Sequence, residues 1–162
     1  PFLCHAPIIP AVMPPVPCRV KGVFVARNAL GVSPAVILSA ENEHCLPIYI
    51  GLFEAMSIHS ALNNEIPPRP LTHDLFVELL KQFDVSLKAL VIDALEDGVF
   101  YATMVLFKDH HELKIDCRPS DGIAIGIRCQ AGIMVEEEVI LQSAVEAGDL
   151  PELVDIGSYL AG

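Results

Sequence analysis

Two short segments concentrate the residues able to do chemistry. The first is R-P-L-T-H-D, from Arg69 to Asp74, and the second is D-C-R-P-S-D, from Asp116 to Asp121. Each joins an arginine, a hydroxyl (Thr72 or Ser120) and carboxylates (Asp74; Asp116 and Asp121) where a helix is predicted to begin. Helix N-termini attract anions through free N–H groups and the helix dipole. An arginine beside such an end adds a bidentate fork for phosphate. Carboxylates next to phosphate are the usual holders of Mg²⁺ or Mn²⁺. If the two segments face each other, they form a phosphodiester-cleaving constellation. Arg69 and Arg118, with Thr72 and Ser120, would bind the phosphate, and Asp74, Asp116 and Asp121 would hold a divalent cation. His73 follows the predicted cap on its polar side and is the candidate proton shuttle. His73, Asp74 and Asp121 form the catalytic set. Glu54, a lone carboxylate in an apolar helix, is a further candidate ligand. The plainer alternative is that Thr72, Asp74, Ser120 and Asp121 cap helices and that Asp116 pairs with Arg118.

Positioning these segments requires a frame, and the hydrophobic periodicity supplies one. Strands are expected at 19–26, 34–40, 45–50, 86–95, 99–107, 112–117 and 133–135. Asn28 to Ser33 and Asp97-Gly98 read as turns, the latter as a tight hairpin. Helices are expected at 52–63, from an N-cap at Thr72, at 119–129 and at 136–147 with Gly148 as its terminator. Asp149 to Glu152 resembles a capping box for one last short helix. Leu71, Leu75, Leu79, Leu80, Phe76 and Phe83 make the apolar stripe of the second helix. Leu75, Leu79, Phe83, Val91, Val105, Ile123 and Ile127 are expected to be buried. Strands, then helices, then more strands favour an α+β domain with a mixed or antiparallel sheet over a doubly wound one.

Composition narrows the function classes. The 162 residues carry a net charge of −11, which argues against a protein that coats nucleic acid by charge alone. Residues 136–162 hold seven acids and no base, whereas residues 1–135 hold 14 acids against ten bases. An anion site therefore belongs in the body. Five cysteines without C-x-x-C spacing read as free thiols in a reducing compartment. The first 18 residues contain six prolines and no basic stretch, so an extended apolar arm fits better than a signal peptide or membrane helix. The expected organisation is an arm at 1–18, a domain at 19–141 and an acidic helical tail at 142–162. The expected location is cytoplasmic, with no membrane contact. Apolar content and the arm suggest a homo-oligomer, dimer before trimer.

Leu46-Pro-Ile-Tyr-Ile-Gly51, Glu54-Ala55, Arg69-Pro-Leu-Thr-His-Asp-Leu75 and Ile115-Asp-Cys-Arg-Pro-Ser-Asp121 occur in that order. Together they resemble the bifunctional nuclease domain family, from about Val20 to Leu141. The resemblance implies a compact α+β fold, oligomers, and combined DNase and RNase activity as linked to some members. Gly122 and Gly126 stand where the family pattern R-P-S-D-A-I-A-L-A has alanine. The expected function is a metal-assisted nuclease of low sequence specificity, with nucleic acid as a possible partner. The rival is a non-enzymatic binding or assembly domain whose motif residues are structural or line an interface.

Overall fold

Runs rich in Val, Ile and Leu build the frame. The computed structural model describes residues 13–28 and 31–162. β1 (Val16–Asn28), β2 (Gly31–Ala40) and β3 (Cys45–Tyr49) form an antiparallel meander. After helices α1 (Leu52–Leu62) and α2 (Thr72–Gln82), a second meander follows: β4 (Ser86–Glu96), β5 (Val99–Lys108) and β6 (His111–Cys117). Then come α3 (Pro119–Cys129), β7 (Gly132–Val135), α4 (Glu137–Ser143), β8 (Leu153–Asp155) and α5 (Ile156–Ala161).

The two meanders become one eight-stranded sheet through β7. It runs antiparallel to the start of β1 and parallel to β4, giving the order β3-β2-β1-β7-β4-β5-β6. β8 pairs with the other half of β1, at Phe24 to Ala26. The fold is therefore α+β with a mixed sheet, as expected. No helix among the described residues is long and apolar enough to cross a membrane.

The core is aliphatic: Val36, Leu38, Ile58, Leu90, Ile92, Leu106 and Ile123 are fully buried. α3 is the central helix, packed between α1, α2 and strands β4 and β5. Its expected span, 119–129, is the observed one. The two hairpins also lie where turn chemistry puts them. Asp97-Gly98 and Asp109-His110 both have positive φ at both positions, the form that matches strand twist.

Several expectations are corrected. Thr72 is the first helical residue of α2, not its cap; Leu71 is the N-cap, and Asp74 accepts its N–H. Leu75, Leu79 and Phe83 are 63%, 52% and 59% exposed, because α2 turns Val77 and Leu80 to the core instead. The residues 71, 75, 79 and 83 follow an i, i+4 row that forms a separate apolar stripe on the outer side. Of the other residues expected inside, Ile123 is fully buried, while Val91, Val105 and Ile127 are half-buried. Finally, α4 stops at Ser143, because Val145 leaves to exchange two backbone hydrogen bonds with Cys45. Gly148 sits in a short 3₁₀ turn, and the last helix is capped by Asp155, not by Asp149. Residues 142–162 are thus knitted into the domain, with Ile156 fully buried. β1 itself begins three residues earlier than expected, so Pro17 and Cys18 lie in the sheet. The rest of the proline-rich arm, residues 1–12, lies outside the described residues, as does Cys4. Cys18, Cys45, Cys117 and Cys129 are free thiols.

The two unusual glycines of α3 differ physically. A methyl group on Gly122 would collide with the fully buried Leu90 and crowd Cys117, whereas one on Gly126 meets nothing within 4 Å. Gly122→Ala should destabilise the chain by about 1–3 kcal/mol through overpacking, less the helix-propensity gain. Gly126→Ala should stabilise it by up to about 1 kcal/mol. Urea melts of the two variants check both signs.

Candidate active site

Three helices start or pass at one point, and each brings a polar residue. α1 contributes Glu54 and Ser57, one turn apart. α2 contributes His73 and Asp74 from its first turn. α3 contributes Asp121 from its first turn, Arg118 from its N-cap and Arg128 from its last turn. The R-P-L-T-H-D and D-C-R-P-S-D segments therefore converge, though not with every residue.

Asp121 is the hub on the open side. Arg118 grips it with Nε on Oδ2 at 2.7 Å and Nη2 on Oδ1 at 3.0 Å. Arg118 Nη2 also pairs with Glu54 Oε1 at 3.0 Å. His73 Nε2 lies 3.1 Å from Asp121 Oδ1, and His73 Nδ1 lies 2.8 Å from the hydroxyl of Ser57. A carboxylate only accepts, so Nε2 carries the proton and donates to Asp121. In the neutral ring Nδ1 then accepts from Ser57. The chain of contacts runs Ser57–His73–Asp121–Arg118–Glu54.

Arg128 is the hub on the buried side. Its Nε donates to Asp74 Oδ1 at 2.6 Å, and its Nη1 to the carbonyls of Ser57 and Ala124 at 3.2 and 2.9 Å. Its Nη2 donates to the Ser57 hydroxyl at 3.2 Å. Asp74 also accepts the Leu71 N–H at 2.9 Å. Burial raises the Asp74 and Asp121 carboxyls, but hydrogen bonds and positive charge outweigh it. Arg128 and the Leu71 N–H hold Asp74 below the ordinary carboxylate range; Arg118 and His73 do the same for Asp121.

A cleft of ≈ 1080 Å³ opens on this network. Ser57, His73, Arg118 and Asp121 lie on one side, and Gly157, Leu160 and Ala161 of α5 on the other. Thr72 and Glu54 line it as well. Four expected residues do not line it, and the first is Asp74, which is turned to Arg128. Arg69 is exposed in the proline-rich connector and enters none of the bonds above, and Asp116 is exposed on β6, opposite Thr103. Ser120 is buried under the first turn of α3. The expected cation donors fit poorly as a set. Both oxygens of Asp74 and of Asp121 are occupied by N–H donors, and Asp116 is outside the cleft. Among the described residues no three His, Cys, Asp or Glu side chains gather as a metal-holding group. Ser57 and Arg128 were not legible in the sequence, since a serine and an arginine in helix interiors carry no motif.

Two outcomes follow for stability. Arg128→Met strands the Asp74 carboxylate, and should cost about 3 kcal/mol, a fall of roughly 10 °C in Tm for a chain this size. The lowered Asp74 and Asp121 contribute stability that is fully present above the ordinary carboxylate value near about 4. It should vanish as pH falls through their lower native values. Thermal melts from pH 7 to 2 should show that loss, and Asp74→Asn should flatten it.

The chain is similar to several other proteins. Over 128 residues the chain is 39% identical to an uncharacterized protein of Mycobacterium tuberculosis, covering 78% of this chain and 75% of that one. Over 119 residues it is 27% identical to "Bifunctional nuclease 2" of Oryza sativa subsp. japonica, covering 70% of this chain and 37% of the rice protein. It is also 24% identical over 117 residues to "Bifunctional nuclease 1" of Oryza sativa subsp. indica, covering 69% of this chain and 35% of that relative. This chain thus spans little more than a third of the rice proteins. The bifunctional nuclease domain model matches residues 36–148, which include α1, α2, α3 and every polar residue of the network. The chain belongs to the bifunctional nuclease domain family.

Proposed function

We propose that the cleft hydrolyses phosphodiester bonds of nucleic acid with low sequence specificity. The observation that carries this is the fusion of the two motifs through His73 and Asp121 beside Arg118. Arg118 is 65% exposed, and its Nη1 group enters none of the bonds above, which leaves two N–H donors for a phosphate. Asp121 fixes the His73 ring and its tautomer, and His73 supplies the acid–base step. The names of the rice relatives support a nuclease. The net charge of −11 means that substrate capture depends on local contacts, not on a bulk field. Assistance by Mg²⁺ or Mn²⁺ is a separable part of the proposal. Cleavage lost in EDTA and restored by Mn²⁺ would assign it, and cleavage indifferent to EDTA would remove it.

The rival reading, a binding or assembly domain, draws on one observation: the exposed stripe of Leu71, Leu75, Leu79 and Phe83. The same stripe supports a homodimer in either case, since a row on one helix can be self-complementary about a two-fold axis. Light scattering should give twice the 17.6 kDa chain mass, and Leu75→Glu with Leu79→Glu should return it to one.

Activity distinguishes the two readings. His73→Ala should lower cleavage of single-stranded DNA or RNA by about 10²–10⁴-fold. Arg118→Ala should weaken substrate binding and flatten its salt dependence, with Arg118→Lys restoring it only in part. Equal trace cleavage by wild type and His73→Ala would mark a contaminant and leave the assembly reading.

A further inference from the structure

His73 poses a problem for simple water activation. Both of its ring nitrogens are taken, Nε2 by Asp121 at 3.1 Å and Nδ1 by the Ser57 hydroxyl at 2.8 Å. Nδ1 is the ring atom with a free lone pair, and the proton in front of it belongs to Ser57. A general base must lie within hydrogen-bond reach of the proton it removes. That condition is met here for a side-chain hydroxyl.

We propose that Ser57 is a nucleophile, activated by His73 and oriented through Asp121, and that it attacks electrophilic phosphorus to give a phosphoryl-serine intermediate. The geometry is that of a nucleophile, a base and an orienting carboxylate in hydrogen-bonded series. Arg128 adds the fourth part. Its Nη2 donates to Ser57 Oγ at 3.2 Å, so a positive charge stands where the alkoxide develops. That guanidinium cannot wander, because Asp74 and the two carbonyls of α1 and α3 hold its other donors. A hydroxyl inside a helix ordinarily bonds back to a carbonyl of the preceding turn. The Ser57 hydroxyl bonds across to α2 instead. Ser57 is only 7% exposed, yet it lines the cleft together with Arg118.

The steps balance. Ser57 Oγ forms a bond to phosphorus as the bond from phosphorus to the departing nucleoside oxygen breaks. The Ser57 proton passes to His73 Nδ1 and then to that oxygen. Water next attacks phosphorus, gives its proton to Nδ1, and the Oγ–P bond breaks as Oγ takes the proton back. The natural substrate rests on the phosphodiesterase reading above, but the reactivity of the hydroxyl can be measured without it.

The probe is an alkyl fluorophosphonate. Its P–F bond breaks and fluoride leaves as Oγ–P forms. The full-length protein is incubated with the probe, its intact mass is read, and the adduct is mapped by peptide sequencing. Cleavage of single-stranded DNA and RNA is assayed on the same preparation. One adduct on wild-type Ser57 is expected, slowed by about 10²-fold or more in His73→Ala. It should be absent in Ser57→Ala, whose melting temperature reports that it folds. Mapping on the wild type needs no variant to fold. His73-dependent nuclease activity with no label on Ser57, or with full activity in Ser57→Ala, would overturn the nucleophile and leave the nuclease. A His73-dependent label on Ser57 in a protein that cleaves no nucleic acid would uphold the nucleophile and overturn the nuclease. Neither label nor cleavage would overturn both.

Discussion

One buried guanidinium ties the helical layer together. Arg128, its side chain only 11% exposed, reaches Asp74 of α2, the Ser57 carbonyl and hydroxyl of α1, and the Ala124 carbonyl of its own helix. A charge so placed is costly unless every donor is met, and here Nε, Nη1 and Nη2 each have partners. The arrangement admits one relative placement of the three helices. Sliding α1 or α2 by a turn would leave the guanidinium or a carboxylate unpaired. The open side of the site inherits this precision. Ser57 and His73 are set by the clamp, and Asp121 then falls within reach of His73 because α3 carries both Asp121 and Arg128.

α3 also explains how polar machinery coexists with an aliphatic core. Its middle, from Gly122 to Gly126, is buried, and Gly122 lets it settle against Leu90 of β4. Its two ends are polar. The N-terminal end delivers Arg118 and Asp121 to the cleft, and the C-terminal turn delivers Arg128 to the clamp. The acidity of the chain is handled locally in the same way. Asp74 faces Arg128, while Asp121 and Glu54 share Arg118, so the site carries one carboxylate more than its two arginines within a protein of net charge −11. What Arg118 still offers on its exposed face is the Nη1 group, a single pair of N–H donors. That suits recognition of one phosphate better than tracking of a long backbone.

Parts of the site were legible in the sequence because local chemistry writes them there. R-P-L-T-H-D and D-C-R-P-S-D stand out as polar clusters at helix starts, and His73, Asp74, Arg118 and Asp121 do meet in space. Their neighbours in the same motifs do not share that fate. Arg69 sits in a connector, Asp116 points from an edge strand, and Ser120, expected to bind substrate, is buried in the first turn of α3. Spacing within a motif says which residues are close along the chain, and not which side of the backbone each side chain takes. Ser57 and Arg128 show the converse. They come from helices with no motif at those positions, separated by 71 residues, and they meet through packing.

The sequence by itself determined the elements whose signals are local. Strand alternation, the Asp97-Gly98 turn, and the span of α3 from Pro119 to Cys129 follow from short-range sterics and hydrogen bonding. It also determined the family, through four motifs in order. The tertiary structure decided what depends on which surfaces are already occupied. α2 has apolar residues on two sides, and only its docking on α3 chose Val77 and Leu80 for the core over Leu75 and Leu79. α4 had the composition to continue, but the backbone groups of Cys45 drew Val145 into a bridge. β1 had a half-empty edge at Phe24 to Ala26, and the acidic C-terminal segment filled it as β8. In each case a propensity worth tenths of a kcal/mol per residue yielded to burial and backbone pairing, which exist only once distant segments have met.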